Sequence, residues 1–131
     1  INAIQSHSTS NPTSFAQKGG VEALRGSQHH LKEWLPEFDR RRNYAYERLT
    51  AMPGVTCVKA QGAFYLFPNI SGTGMQSTEF CDQLLERSQV AAVPGIAFGS
   101  DDYIRISYAT SMVNIQKGMD RMDAFVRSLH S

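Results

Sequence analysis

The sequence predicts an α+β domain in which a small, mainly antiparallel sheet is covered by helices on one face. The hydrophobic period changes from helical spacing to alternation after Gly54 and returns to helical spacing near the end of the chain. Turn residues separate the short apolar runs, which gives the element order α-α-β-β-α-β-β-α. With 131 residues, of which 41% are apolar, the chain is long enough for one packed core.

Two helices are predicted in the first part of the chain. Ser10-Asn11-Pro12 favours a helix start, because Ser and Asn side chains accept hydrogen bonds from first-turn amides and proline suits the first helical position. We expect Gly26 to end this helix and a second to begin near Ser27. Pro36 predicts a kink or a short break in the second helix. One face of this helix is predicted by a stripe with alternating steps of four and three residues. The stripe consists of Leu31, Leu35, Phe38, Arg42, Ala45, Leu49 and Met52.

The middle of the chain predicts a hairpin followed by a helix. Val55–Lys59 and Ala63–Pro68 have the composition of strands, and Ala60-Gln61-Gly62 is a turn of hairpin length between them. Ser77 is predicted to cap the following helix. The side chains of that helix expected to face inward are Phe80, Cys81, Leu84 and Leu85.

Two further strands and a helix complete the predicted fold. Val90–Val93 is expected to be a short buried strand closed by Pro94-Gly95. In Tyr103–Tyr108 the side chains alternate, so that the two isoleucines face one way and Arg105 faces the other. The last helix, from about Val113, carries an inward stripe of Ile115, Met119, Met122, Val126 and Leu129.

Composition excludes several classes of function. The net charge of +1 favours neither a nucleic-acid partner nor an acidic membrane surface, and no apolar run approaches the roughly 20 residues of a membrane span. The four histidines lack metal-ligand spacing, so no metal site is expected. Cys57 and Cys81 are interpreted as buried apolar residues of a protein in the reducing cytoplasm.

Arginines occur in two settings that predict different roles. Arg40-Arg41-Arg42 is interpreted as a solvated helix face, neutralised by the acids Glu33, Glu37, Asp39 and Glu47. Arg105 lies in mid-strand between two isoleucines, where its guanidinium must reach solvent, pair with an acid or receive a ligand. Both a salt bridge on an exposed sheet face and a clamp for a carboxylate ligand fit this pattern.

Four segments of the chain share their sequence and spacing with a known family. They are Ser8-Thr9-Ser10-Asn11-Pro12-Thr13, Gly62-Ala63-Phe64-Tyr65, Val93-Pro94-Gly95 with Phe98-Gly99, and Ile104-Arg105-Ile106-Ser107-Tyr108-Ala109. Over essentially its whole length the chain resembles the C-terminal part of class I aminotransferases, the pyridoxal-phosphate enzymes of the aspartate aminotransferase type. Such enzymes transfer an amino group between an L-amino acid and a 2-oxo acid.

The resemblance implies a role for each matching residue. Arg105 matches the arginine that binds the substrate α-carboxylate, and Phe64 matches a position lining the mouth of the active site, flanked by Gly62 and Tyr65. Ser10 and Asn11 match a segment that reaches the neighbouring subunit's active site in the family homodimer.

The resemblance also implies a division of the chain into two parts. Residues 27–131 would form the small C-terminal domain of a fold-type I pyridoxal-phosphate enzyme. Residues 1–26 would belong to the large-domain and dimer-interface region, with a helix that normally packs on the large domain.

The catalytic lysine of the family has no counterpart in this sequence. The four lysines, Lys18, Lys32, Lys59 and Lys117, do not stand in the family's serine-rich lysine motif, and the chain starts at Ile1 without Met. Met removal or trimming would explain the start, but we expect a C-terminal fragment that is inactive alone and binds no pyridoxal phosphate.

Two expectations concern partners. Loss of the large domain would uncover the small-residue face of Phe15–Leu24, which predicts self-association or domain swapping of the fragment. The alternative function is a stand-alone, non-catalytic α/β module that binds a small ligand or a protein. The two hypotheses differ in whether the coding sequence continues upstream through a lysine-bearing large domain.

Overall fold

The computed structural model describes residues 1–130, which form five α-helices and three short strands. The helices are α1 (Asn2–Ser8), α2 (Ser14–Arg25), α3 (His29–Thr50), α4 (Ser77–Ser88) and α5 (Met112–Ser128). The strands are β1 (Tyr65–Leu66), β2 (Val93–Pro94) and β3 (Ile104–Ser107). The chain divides into two compact units, the first ending at Trp34 and the second beginning at Leu35.

The first unit contains α1, α2 and the beginning of α3, and its side chains are almost all exposed. Helix α1 was not predicted, since a helix that buries no side chain has no apolar stripe. The predicted helix start at Ser10-Asn11-Pro12 is wrong. Helix α2 begins at Ser14 without a side-chain cap, Ser10 has a positive φ of 58°, and the Pro12 carbonyl accepts from the Gln17 side chain. Gly26 ends α2 as predicted.

Helix α3 is continuous through Pro36, so the short break expected at this proline is absent. A proline removes one backbone hydrogen bond, and the turns on both sides still form. Of its predicted stripe, Ala45, Leu49 and Met52 are buried, whereas Leu31 and Leu35 near the start of the helix are exposed.

The arginine cluster on α3 has acidic partners, as predicted, but only Arg40 lies on a solvated face. The side chains of Arg41 and Arg42 are 21% and 23% exposed, and Arg42 donates to the Ala60 carbonyl of the second unit. Glu37 accepts from Arg40 at 2.8 Å and from Arg41 at 2.7 Å, while Asp39 pairs with Arg42. The other two predicted acids do not take part: Glu33 pairs with His29, and Glu47 forms no ion pair within residues 1–130.

The second unit contains a three-stranded antiparallel sheet in the order β1-β3-β2. In its register Leu66 lies opposite Ile106 and Pro94 opposite Ile104, and these side chains share the core face. Tyr65 lies opposite Ser107 and Val93 opposite Arg105 on the other face. The predicted α+β class is therefore confirmed.

Helices α3, α4 and α5 cover the core face of the sheet. The buried residues that they contribute are Ala45, Leu49, Phe80, Cys81, Leu84, Ile115, Met119, Met122, Phe125 and Val126. The predicted inward stripe of α5 is confirmed apart from Leu129, which is only partly buried. The opposite face of the sheet carries Arg105.

The predicted hairpin of Val55–Lys59 with Ala63–Pro68 is wrong in extent. Only Thr56 and Asn69 pair, through two reciprocal backbone bonds, and Tyr65–Leu66 pairs with β3 instead. The carbonyls of the intervening segment have other partners, because Arg42 donates to Ala60 and Tyr108 donates to Ala63. These long-range bonds replace the ladder of a regular hairpin.

Three smaller predictions around α4 are also wrong. Gln76 is the N-cap, and Ser77 is instead the first helical residue, fully buried, with its hydroxyl donating to Asp101. Leu85 is 53% exposed, since it lies beyond the face that Phe80, Cys81 and Leu84 bury. The strand expected over Val90–Val93 is only Val93–Pro94, the edge position that proline tolerates.

Candidate functional site

The strand β3 places Arg105 on the side of the sheet that faces away from the core. Its neighbours Ile104 and Ile106 are 0% and 8% exposed, so alternation fixes the direction of the Arg105 side chain. Tyr65 lies on the same face, because it is paired with Ser107, two residues beyond Arg105. The sequence prediction of inward isoleucines and an outward arginine is confirmed.

The Arg105 guanidinium packs against aromatic rings and not against an acid. Its Cζ atom lies 4.4 Å from the centroid of the Tyr65 ring and 4.6 Å from that of Phe98. Within residues 1–130 no carboxylate lies within 4.0 Å of its nitrogens, and none of its N–H groups donates a hydrogen bond. A half-buried arginine whose donors are all free is suited to receive an anionic ligand.

A shallow hollow of about 140 Å³ adjoins Arg105. Its other lining residues are Tyr65, Ala91, Ala92, Val93 and Ser107. The walls are mostly small or apolar, so the guanidinium is the one charged group of the hollow. This size and lining suit the carboxyl end of a small molecule.

Phe64, predicted at the mouth of an active site, contacts Tyr65, which lines this hollow. Its ring is 41% exposed and lies 4.6 Å from the Tyr65 ring, centroid to centroid. Tyr108, directly after β3, donates its hydroxyl proton to the Ala63 carbonyl at 2.9 Å and its backbone N–H to the Phe64 carbonyl at 2.9 Å. The end of the Arg105 strand thus holds the segment that carries Phe64.

The remaining predicted site residues lie elsewhere. Gly62 is exposed and lines a separate hollow of about 320 Å³, together with Arg42 and Tyr108. Ser10 and Asn11 are exposed residues of the first compact unit. Of the predicted site residues, Tyr65 contacts Arg105, Phe64 contacts Tyr65, and Gly62 lines the other hollow.

Phe98 is a neighbour of Arg105 to which sequence analysis gave no role. It was noted only as part of the pattern Phe98-Gly99. The sequence signal that could have identified Phe98 is an aromatic residue at the end of the turn that begins with Pro94-Gly95 and precedes the strand of Arg105.

The lysines of the chain do not fit a site for pyridoxal phosphate. All four are exposed, Lys59 lies over the Tyr46 ring, and none lines the hollow beside Arg105. A Schiff-base cofactor requires an amine within reach of the substrate site. Residues 1–130 thus offer no amine at the Arg105 hollow to which this cofactor could attach.

Other ionisable groups of the chain show structural roles. Burial raises the pKa of the Cys81 thiol to about 11, and burial also raises the pKa of the Cys57 thiol, as expected for apolar packing residues. Across residues 1–130 no three His, Cys, Asp or Glu side chains are grouped as metal ligands would be. The helices in that range are too short or too polar to cross a bilayer.

Comparison with known proteins finds the same family that the sequence motifs resemble. The family model "Aminotransferase class I and II" matches residues 1–122. Aspartate aminotransferase of Geobacillus stearothermophilus is 42% identical over 130 residues, and that of Bacillus subtilis is 44% identical over 128 residues. These matches cover 95% and 94% of this chain but 33% of each relative, so the chain spans about a third of their length.

Solved structures agree with this result. The aspartate aminotransferase of Rhizobium meliloti superimposes with a TM-score of 0.90 at 38% identity, covering 95% of this chain and 34% of that one. An aromatic aminotransferase from Pyrococcus horikoshii superimposes with a TM-score of 0.90, also at 38% identity, over 97% of this chain and 35% of that one. Sequence motifs, fold and these comparisons together show that the chain belongs to the class I and II aminotransferase family.

Proposed function

We propose that this chain is the small, C-terminal domain of an aspartate-type aminotransferase and that Arg105 binds the α-carboxylate of its substrates. The full-length enzyme would transfer an amino group between an L-amino acid, aspartate or a similar one, and a 2-oxo acid. The amine that attaches its pyridoxal phosphate would come from outside this chain, because none of the four lysines stands in the family's lysine motif.

The observation that carries the proposal is the unpaired state of Arg105. Within residues 1–130 its guanidinium has two aromatic contacts and no acid, beside a hollow of carboxylate size. By contrast, the α3 arginines Arg40, Arg41 and Arg42 all have acidic partners. An arginine that leaves its donors free at a hollow on a rigid strand is positioned for a ligand.

The chemistry follows from the geometry of a guanidinium. Two parallel N–H donors can bind both oxygens of one carboxylate, which fixes the orientation as well as the position of the ligand. Every amino acid and every 2-oxo acid carries such a carboxylate next to its reacting carbon. A single fixed contact on β3 would therefore orient the donor and the acceptor substrate alike.

Phe64 and Tyr65 support this role from the neighbouring strand. Tyr65 contacts the guanidinium, and Phe64 packs its partly exposed ring against Tyr65 at an interplanar angle of 49°. An apolar ring at this edge would exclude water from the bound carboxylate and strengthen its ion pair with Arg105. We assign Phe64 to the wall of the substrate site and Gly62 to the turn behind it.

Ser10 and Asn11 belong to a different part of the proposed enzyme. Both are exposed residues of the first compact unit, in a segment of positive φ at Ser10. We propose that this segment contributes to the neighbouring subunit's active site in a homodimer, as the family resemblance implies. Residues 1–26 would then belong to the large-domain and dimer-interface region.

Replacement of Arg105 in the full-length enzyme tests the proposal. Arg105→Lys keeps the charge but loses the planar pair of parallel N–H donors. We expect transition-state binding of L-aspartate, measured through kcat/KM, to weaken by about 2–4 kcal/mol. Arg121→Lys is the matched control, since Arg121 lies on α5 and has no ion pair within residues 1–130. An unchanged kcat/KM in Arg105→Lys would refute the assignment.

A further inference from the structure

The Arg105 guanidinium has two aromatic contacts, one from Tyr65 and one from Phe98. Its Cζ atom lies over both rings, at 4.4 and 4.6 Å from their centroids. A cation–π contact uses the charge of the guanidinium and does not consume its N–H donors, so ring contact does not compete with carboxylate binding. Two rings at such distances limit the orientations of a side chain that is otherwise long and flexible.

Phe98 is held by a turn with little freedom. It is the last residue of a 3₁₀ turn, Gly95–Phe98, and Gly99 follows it with a φ of 82°. The Gly95 N–H donates to the Tyr103 carbonyl at 2.8 Å, which joins the turn to the start of β3. The Ile96 N–H donates to the hydroxyl of the fully buried Ser77.

Phe98 also contacts a second aromatic ring. The Phe67 ring meets Phe98 edge to face at 5.9 Å and stacks on Tyr103 at 5.0 Å, with an interplanar angle of 11°. The Phe98 ring therefore contacts both Phe67 and Arg105 although 48% of the residue is exposed. This arrangement directs a half-exposed aromatic ring at Arg105, where burial alone would not place it.

We propose that Phe98 is a positioning residue for substrate binding, which acts by fixing the plane of the Arg105 guanidinium together with Tyr65. The inference rests on the proposed function of Arg105 and extends it to a residue from another element. Phe98 need not touch the substrate. It restricts Arg105 to the orientation in which both donors reach one carboxylate.

The proposal predicts a specific kinetic signature in the full-length enzyme. Phe98→Leu keeps an apolar side chain but removes the ring, and KM for L-aspartate should rise about threefold to tenfold, the range of one cation–π contact. Because the carboxylate is bound in the ground state and the transition state alike, kcat should change less than twofold. Phe98→Tyr restores a ring face and should return KM to within about twofold of wild type.

Two controls separate positioning from a general loss of structure. Ile96→Ala alters an exposed side chain of the same turn that has no aromatic ring to place on Arg105, and its KM should equal that of wild type. In an Arg105→Met background the ring has no cation to hold, so adding Phe98→Leu should lower kcat/KM by less than twofold.

The outcomes distinguish this inference from the proposed function. If Arg105→Met lowers kcat/KM and Phe98→Leu raises KM only when Arg105 is present, the positioning role is supported. If Arg105→Met lowers kcat/KM but Phe98→Leu leaves KM unchanged, or lowers kcat/KM equally in both backgrounds, the positioning role is overturned and the function of Arg105 stands. If Arg105→Met has no effect, both are overturned.

Discussion

The Tyr108 hydroxyl donates a hydrogen bond of 2.9 Å to the backbone carbonyl of Ala63. The bond joins residues that are 45 positions apart in sequence. Ala63 has a φ of 57°, a left-handed conformation that costs an L-residue free energy and therefore needs support from its surroundings. Tyr108 thus holds the turn before Phe64 in place from the end of the Arg105 strand.

Tyr108→Phe tests this connection. The substitution keeps the buried ring and leaves the Ala63 carbonyl without its partner, so we expect the free energy of unfolding to fall by about 1 kcal/mol. Urea denaturation measures the change. Tyr46→Phe is the matched control, since the Tyr46 hydroxyl has no hydrogen-bond partner within residues 1–130, and equal losses in the two variants would contradict the account.

Gly95→Ala tests the close approach that anchors the Phe98 turn. A Cβ at Gly95 would lie 2.2 Å from the carbonyl oxygens of both Ser100 and Tyr103, and backbone atoms cannot move aside cheaply. We expect a loss of about 3 kcal/mol in the free energy of unfolding.

The control for Gly95 is a glycine with space around it. Nothing lies within 4 Å of a Cβ built at Gly118 in α5, and alanine is the better helix former. Gly118→Ala should therefore raise the melting temperature while Gly95→Ala lowers it. A Gly95→Ala protein as stable as wild type would show that the turn can rearrange.

Glu37 is expected to make stability depend on pH. Hydrogen bonds from Arg40 and then Arg41 lower the pKa of Glu37 from 4.5 to about 2. A carboxylate whose folded pKa lies below its unfolded pKa stabilises the fold above the unfolded value, and this stabilisation is lost as the pH falls through the folded value. The contribution of Glu37 should be complete above pH 4.5 and disappear near pH 2.

Glu37→Gln provides the measurement. Its urea midpoint should lie below that of wild type at pH 7, and the two midpoints should converge as the pH approaches 2. Glu86→Gln, at an exposed position of α4 without an ion pair within residues 1–130, should match wild type at both pH values. A difference for Glu37→Gln that persists unchanged at low pH would contradict the assigned cause.

Strand β3 and helix α5 could be predicted from the sequence because each has one buried face. The alternation around Arg105 and the four-three spacing from Ile115 to Val126 both match the structure, because a half-buried strand and a one-sided helix expose their periods directly. The residues that surround Arg105 could be predicted in part. Tyr65 followed from the family resemblance, and its diagonal position across β1 and β3 agrees with that role.

The errors arise where distant residues determine the backbone. The hairpin over residues 55–68 failed because Arg42 and Tyr108 bind the carbonyls that a regular ladder would use. Phe98 had no predicted role because its direction depends on the turn that Ser77 anchors from 19 residues away. Neither relationship leaves a periodic signal in the sequence.

The central claim is that Arg105 receives the α-carboxylate of the substrate. A crystal structure of the full-length enzyme with a bound 2-oxo acid measures this directly, through the distances from the Arg105 Nη and Nε atoms to the two carboxylate oxygens. The account predicts two parallel contacts of about 2.7–2.9 Å. A substrate carboxylate bound by other residues, with Arg105 still packed on Tyr65 and Phe98 and its donors free, would contradict it.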